Sequence, residues 1–289
     1  MRNADVAAQY QAYWKLLSDD PGAQDGDDRS TAGKKNKELR DAVEALHDTP
    51  ETFKEVKPGI TPIFSPRSGP TVLEMYAHMV DDADNLSCIT LAFGISAVFK
   101  ELLKDNSVDS HIGFFLLEKE DKPNPRSKKE FVGLNAANNV YKAFGSFLRD
   151  PLYQWVRETS TKALKLNQHV SYIHSKFLLK DPLSKDPIVV TGSANFSTAS
   201  TNDNDENMIV IRGNRRVADI YYTEFNRLFY HYYFRSVQET TRKMEEGEKK
   251  KRDQQTLFLA ETDAWTKAYK RGSLKQKRVD IFRRIEGFD

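Results

Sequence analysis

The feature that most constrains this chain is a series of short apolar runs between positions 60 and 213: ITPIF, CITLAFGI, HIGFFLLEK, VSYIHSKFLLK, PIVVTGS and NMIVIRG. Each has the length of a strand, and Gly, Pro, Asn, Asp or Ser bounds most of them. Helical patterns fall between and after them. Val72, Tyr76, Met79 and Val80 mark one helix, AVFKELLK a second, and Arg215 to Phe234 a long closing one. A chain that alternates in this way packs helices on a sheet, so the expectation is an α/β domain with a mixed β-sheet flanked by helices.

Two flanking zones differ in pattern. Residues 1–58 read as a helical arm: Val6, Tyr10, Tyr13, Trp14 and Leu17 recur at helical spacing, the acidic loop DDPGAQDGDD follows, and Leu39, Val43 and Leu46 mark a second helix. Pro58, Gly59 and Pro62 punctuate the arm's end. The core domain spans 59–236 and includes a helical or mixed region from Leu148 to Leu166. Residues 237–289 form a helical tail of mixed charge. Its run EEGEKKKRDQQ reads as a solvated face, and Leu257, Phe258, Trp265, Tyr269 and Phe282 as docking residues.

Composition narrows function more than fold. A net charge of +2 gives no field that would recruit a polyanion or an anionic membrane. Cys88, the single cysteine, excludes an internal disulfide, and its apolar setting predicts a buried, inert thiol. The segment MRNADVAAQY has no signal-peptide core, and no run approaches the ~20 apolar residues that span a bilayer. The expectation is a cytoplasmic protein with no stable membrane anchor.

The chemistry gathers in SYIHSKFLLKD and VVTGSANFS. His174 and Lys176 are two residues apart, as are Ser193 and Asn195. Residues two apart share a face of a strand or strand end. An imidazole, an ammonium, a hydroxyl and an amide on one surface suit an oxyanion, a phosphodiester above all. Asp181 follows Lys176 at an odd spacing, which places it opposite His174 and better suited to a neighbouring loop than to substrate. Gly192 allows a close backbone approach before Ser193. Glu206 heads the NMIVI strand, where its carboxylate would fix the His174 tautomer.

His174, Lys176, Asp181, Gly192, Ser193 and Asn195, with Glu206 beyond, resemble the signature of the phospholipase D superfamily: His-x-Lys, four residues, Asp, then Gly-Ser-x-Asn. The resemblance runs over roughly residues 60 to 235. It implies a covalent phosphohistidine or protonation of the leaving group at His174. Phosphate would be held by Lys176, Ser193 and Asn195, His174 oriented by Glu206, and no metal or other cofactor required. Family sites need two such motifs, and this chain has one. Its other histidines, His47, His78, His111, His169 and His231, lie outside any His-x-Lys. Either two chains pair as a homodimer, or this is half of a longer protein. The arm VAAQYQAYWKLLSDDP resembles the connector of two-motif bacterial members, which favours a C-terminal half with His174 as general acid.

Other features receive plainer readings. His169 and His231 are expected to be structural and His111 an ordinary surface residue. The stripe Val217, Tyr221, Phe225, Leu228, Phe229 and Tyr232 is expected to pack in the core. The loop KPNPRSKK either meets an anionic substrate or is simply solvated. The implied activity is phosphodiester hydrolysis or transfer, first on phospholipids. The alternatives are a nuclease of the same superfamily and a non-catalytic phosphate-binding or dimerisation half.

Overall fold

The computed structural model describes residues 3–104, 111–123, 131–145, 173–242 and 262–283. The expected helical region from Leu148 to Leu166, His169, the EEGEKKKRDQQ run, Leu257, Phe258 and most of KPNPRSKK lie outside the described residues. The arm supplies α1 (Ala4–Ser18) and α2 (Arg29–Glu44). The core runs β1 (Gly59–Phe64), α3 (Thr71–Asp81), β2 (Leu86–Leu91), α4 (Ala97–Leu103), β3 (Ile112–Leu117), a 3-10 turn (Ala136–Asn138), β4 (Val140–Phe144), β5 (Phe177–Lys180), β6 (Ile188–Gly192), α5 (Thr198–Asn202), β7 (Asn207–Arg212) and α6 (Arg215–Arg242). A 3-10 segment (Asp263–Tyr269) and α7 (Leu274–Arg283) follow.

The strands form one mixed seven-stranded sheet in the order β1-β7-β6-β5-β2-β3-β4. The first five are joined by antiparallel ladders, and β2, β3 and β4 are mutually parallel. β2 and β3 are buried at every position, which is why they read as unbroken apolar runs. Alternate residues feed two layers of core. Leu178, Val190 and Val210 face α3 and α4 with Tyr76, Met79 and Phe99. Phe177, Leu179, Val189 and Ile211 face α6 with Phe225 and Phe229, and the expected stripe of α6 packs there. Cys88 is fully buried, and burial holds its thiol well above the usual range.

Arm and tail both pack on this sandwich. Tyr13 stacks on Phe64 of β1 at 4.3 Å between ring centroids, and Tyr10 meets the same ring edge-on at 5.0 Å. Leu39 and Val43 of α2 complete that cluster, while Trp14 projects into solvent at 69% exposure. From the tail, Phe282 lies against Tyr222 and Arg278 over the Tyr141 ring. Trp265 of the tail is exposed. Helix α6 continues through position 236 as far as Arg242.

Three sequence readings change. VYKAF, given no assignment from sequence, is strand β4. His111 is buried at 4% exposure, because it leads directly into β3, which lies between β2 and β4 under both layers. His231 sits on the outward side of α6 and is exposed. Residual desolvation, then Arg235 and Arg227, lower its pKa.

Candidate active site

The site forms where five strands end together. In the β5–β6 ladder Phe177 pairs with Thr191, so the residues just before β5 face those just after β6. In the β6–β7 ladder Gly192 pairs with Met208, and in the β1–β7 ladder Phe64 pairs with Asn207. His174 and Lys176 therefore share one end of the sheet with Ser193, Asn195, Glu206 and the loop after β2. The His-x-Lys pair precedes the strand rather than lying within it.

Two buried polar groups hold that segment. The Glu118 carboxylate, at 2% exposure, accepts the Ile173 amide at 2.7 Å. The Thr90 hydroxyl donates to the Ser175 carbonyl at 2.7 Å and accepts the Phe177 amide at 3.0 Å. Sequence reasoning passed over both, because each sits at the end of an apolar strand and carries no motif. A carboxylate terminating the run HIGFFLLE was the available signal, since a buried Glu needs partners.

Between these anchors His174 is exposed, and its ring meets Phe93 edge-on at 6.4 Å. Lys176 donates to the His174 carbonyl at 2.8 Å. Desolvation lowers the Lys176 pKa, and the nearby Glu206 carboxylate partly opposes that shift. No described residue hydrogen-bonds the His174 ring, so Glu206 acts on the pair through Lys176 in this structure.

Ser193 is held tightly. Its amide donates to the Asn207 carbonyl at 2.9 Å, and its hydroxyl accepts the Asn207 amide at 3.0 Å. Gly192 makes this approach possible. A Cβ there would sit 2.1 Å from the Asn207 carbonyl oxygen and 2.7 Å from the Met208 Cα. Asn195 is the opposite case, its Oδ1 buried with no partner among the described residues. It lines a cleft of about 280 Å³ together with Phe93, Ile95, Ser96, Phe196, Ser197 and Thr198. None of the described residues that line it is charged.

Asp181 lies at the far end of β5. It is 3% exposed, with φ +47°, and accepts the amides of Asp84, Asn85 and Leu86 and the Lys180 ammonium at 2.7 to 3.1 Å. It ties β5 to the start of β2 and touches nothing at the reactive end. Among the described residues, the one grouping of side chains that could hold a metal is His78, Asp81 and Asp82, at the end of α3 that leads to Asp84. Among the same residues no helix is long and apolar enough to cross a membrane.

A mixed sheet carries His-x-Lys and Gly-Ser-x-Asn side by side at one end. The family described as cardiolipin synthase, PLD-like domain, matches residues 135–229, from the turn before β4 into α6. Over that third of its length the chain is similar to the phospholipase D superfamily. Among solved structures it is similar to Nuc from Salmonella typhimurium, a phospholipase D family member. Identity is 16%, over 61% of this chain and 96% of that one, with a TM-score of 0.40. NucT from Helicobacter pylori matches at 14% identity over 58% and 94%, with a TM-score of 0.41. The phosphatidylserine synthase of Haemophilus influenzae Rd KW20 matches at 11% over 83% and 57%, with a TM-score of 0.40. No curated protein sequence matches the chain.

Proposed function

We propose that this protein cleaves phosphodiesters by double displacement at the end of the sheet carrying His174. The observation that carries the reading is the state of the polar groups there. Among the described residues none hydrogen-bonds the exposed His174 ring, none meets the buried Asn195 Oδ1, and the Lys176 ammonium bonds only the His174 carbonyl. Buried or crowded polar groups normally find partners within the fold. Groups left waiting together await a ligand, and their types suit a phosphate.

In the first step a histidine nitrogen bonds to phosphorus and the bond to the leaving oxygen breaks. A second histidine donates its proton to that oxygen. In the second step water, deprotonated by the second histidine, attacks phosphorus, and the P–N bond breaks. Lys176, Asn195 and Ser193 take the nonbridging oxygens as their charge grows. Glu206 tempers Lys176 and acts on His174 through it. This chain supplies one histidine to the pair. The other comes from a second copy, in which case His174 plays both roles, or from a companion half that leaves His174 as the acid.

For substrate, the surroundings favour a single phosphodiester of phospholipid type over a nucleic acid. Asp205 beside Glu206 has its carboxyl pKa raised by desolvation first and then by Asp20 and Glu206. A run of carboxylates next to the phosphate opposes a long polyanion, which needs Lys and Arg along its track. The uncharged cleft beside Phe93 would receive the neutral part of the substrate.

The test is sedimentation run beside cleavage of bis(p-nitrophenyl) phosphate across protein concentration, with and without a companion half. Turnover should appear only in an assembled species. Phosphatidylglycerol vesicles and single-stranded oligonucleotide then compete as natural substrates. Full activity in a strict monomer refutes the shared site, and preferred cleavage of the oligonucleotide moves the substrate to the nuclease alternative.

A further inference from the structure

Helix α1 belongs to the arm, outside the stretch that matches the family, yet one of its side chains reaches the phosphate site. The Tyr10 hydroxyl donates to Asn207 Oδ1 at 2.8 Å, across 197 positions of sequence. The Asn207 Nδ2 in turn donates to the Ser193 hydroxyl at 3.3 Å, and the Asn207 backbone amide donates to the same oxygen at 3.0 Å. We propose that Tyr10 is a positioning residue: by holding Asn207 Oδ1 it turns the Asn207 amide nitrogen toward Ser193 and so leaves the serine proton for a phosphate oxygen. The proposal rests on the reading of Ser193 as a phosphate-binding group.

The argument is one of donors and acceptors. A serine hydroxyl has two lone-pair sites and one proton. Both lone-pair sites of Ser193 are taken by Asn207 donors. The proton has only a long contact of 3.3 Å to the Asn207 carbonyl, which already accepts the Ser193 amide at 2.9 Å. A nearby anion is a better acceptor. This holds only while the side-chain amide of Asn207 keeps its nitrogen toward Ser193.

An amide is nearly symmetric in shape, so packing alone barely distinguishes its two orientations. The Tyr10 hydroxyl distinguishes them. A phenol opposite Oδ1 donates well, whereas opposite a flipped NH₂ two donors would face each other. Partial burial raises the Tyr10 pKa, which keeps the phenol protonated and a donor. Without that hydroxyl the amide is free to flip. Its oxygen then accepts the serine proton and withdraws it from substrate.

Tyr13, one helical turn on, fixes the backbone on the other side. Its hydroxyl contacts the carbonyl of Ser65 at 2.5 Å and that of Glu206 at 3.2 Å. Both tyrosines are seated on Phe64, so the arm's register on β1 sets where the Tyr10 hydroxyl lies. The arm is thereby a working part of the site as well as a connection to it.

The experiment is a double-mutant cycle read by calorimetric binding of inorganic phosphate and by kcat/KM for bis(p-nitrophenyl) phosphate. Tyr10→Phe keeps the ring contact with Phe64 and should melt like the wild type, yet lose about tenfold in both readouts, as expected for a hydrogen bond to a charged group. In a Ser193→Ala background the same substitution should cost less than about twofold, because no serine proton remains to be misdirected. Asn207→Asp offers only acceptors and adds a negative charge beside Ser193, so as the second variant it should lose more than Tyr10→Phe. Equal losses from Tyr10→Phe in both backgrounds, or unchanged phosphate binding, overturn the proposal. A wild-type chain that binds phosphate but turns over no diester refutes the catalytic reading alone, and the binding cycle still decides this one. A chain that binds no phosphate refutes both.

Discussion

β5 is four residues long, and the motif that brackets it behaves in opposite ways at its two ends. At one end Asp181 is saturated: three amides and an ammonium fill its carboxylate, and it is buried. At the other end His174 is exposed and Asn195 Oδ1 has no partner among the described residues. Residues that a sequence pattern treats as a single unit therefore divide into a clamp for the sheet and an exposed end, for which the ligand-binding role is proposed. Full satisfaction marks the structural role, and incomplete satisfaction marks the chemical one. A substitution at each end should accordingly move a different measurement.

The largest effect is expected at the reactive end. His174→Ala should lower diester turnover of the assembled protein by about 10²–10⁴-fold, the usual contribution of a positioned acid or base, with an unchanged thermal melt. Undiminished turnover would erase the contrast between the two ends.

Next comes the clamp. Asp181→Ala strips three amides of their acceptor and leaves Lys180 with its side chain only 10% exposed and no counter-charge. It should destabilise the fold by about 3–5 kcal/mol in urea titration. A loss of activity with stability intact would place Asp181 in the site after all.

A smaller effect sharpens the reactive end itself. Desolvation lowers the Lys176 pKa, so the ammonium loses its proton at a lower pH than an ordinary lysine near ~10.4. Anion affinity that depends on the charged form is complete below that pKa and falls as pH rises through it. In Lys176→Arg the alkaline limb of phosphate binding should move upward, because guanidinium keeps its charge. An unmoved limb would assign the titration to another group. The smallest expected effect is none: activity should survive EDTA. A rate that collapses and returns with Mg²⁺ or Zn²⁺ would point to a different mechanism, with His78, Asp81 and Asp82 the first residues to replace.

The contrast between the ends also explains what the sequence made legible. Strands β2, β3, β5, β6 and β7 announced themselves as apolar runs, and the spacing of His174, Lys176, Ser193 and Asn195 set four polar groups at neighbouring strand ends. β4 gave no such signal: VYKAF is an edge strand with Lys142 at its centre, and it follows an Asn-capped turn. Glu118 and Thr90 were hidden because a polar residue at the margin of an apolar run looks like a boundary. Tyr10 was hidden differently. In α1 it falls on the apolar stripe and reads as packing, which its ring does perform. The target of its hydroxyl depends on β1 pairing with β7, and no local pattern reports a contact across 197 residues.

That same pairing sets a timetable for synthesis. β1 has no ladder partner until residues 207–212 have left the ribosome, and the hydroxyl of Tyr10 has nothing to hold before then. The arm and the first strand, though made earliest, must wait through most of translation with the edge of β1 unpaired. Distant pairings of this kind close slowly, and exposed apolar surface during the delay invites capture by other chains. The proposed phosphate site is consequently assembled at the final closure of the sheet, and a nascent chain that stops short of β7 lacks it entirely.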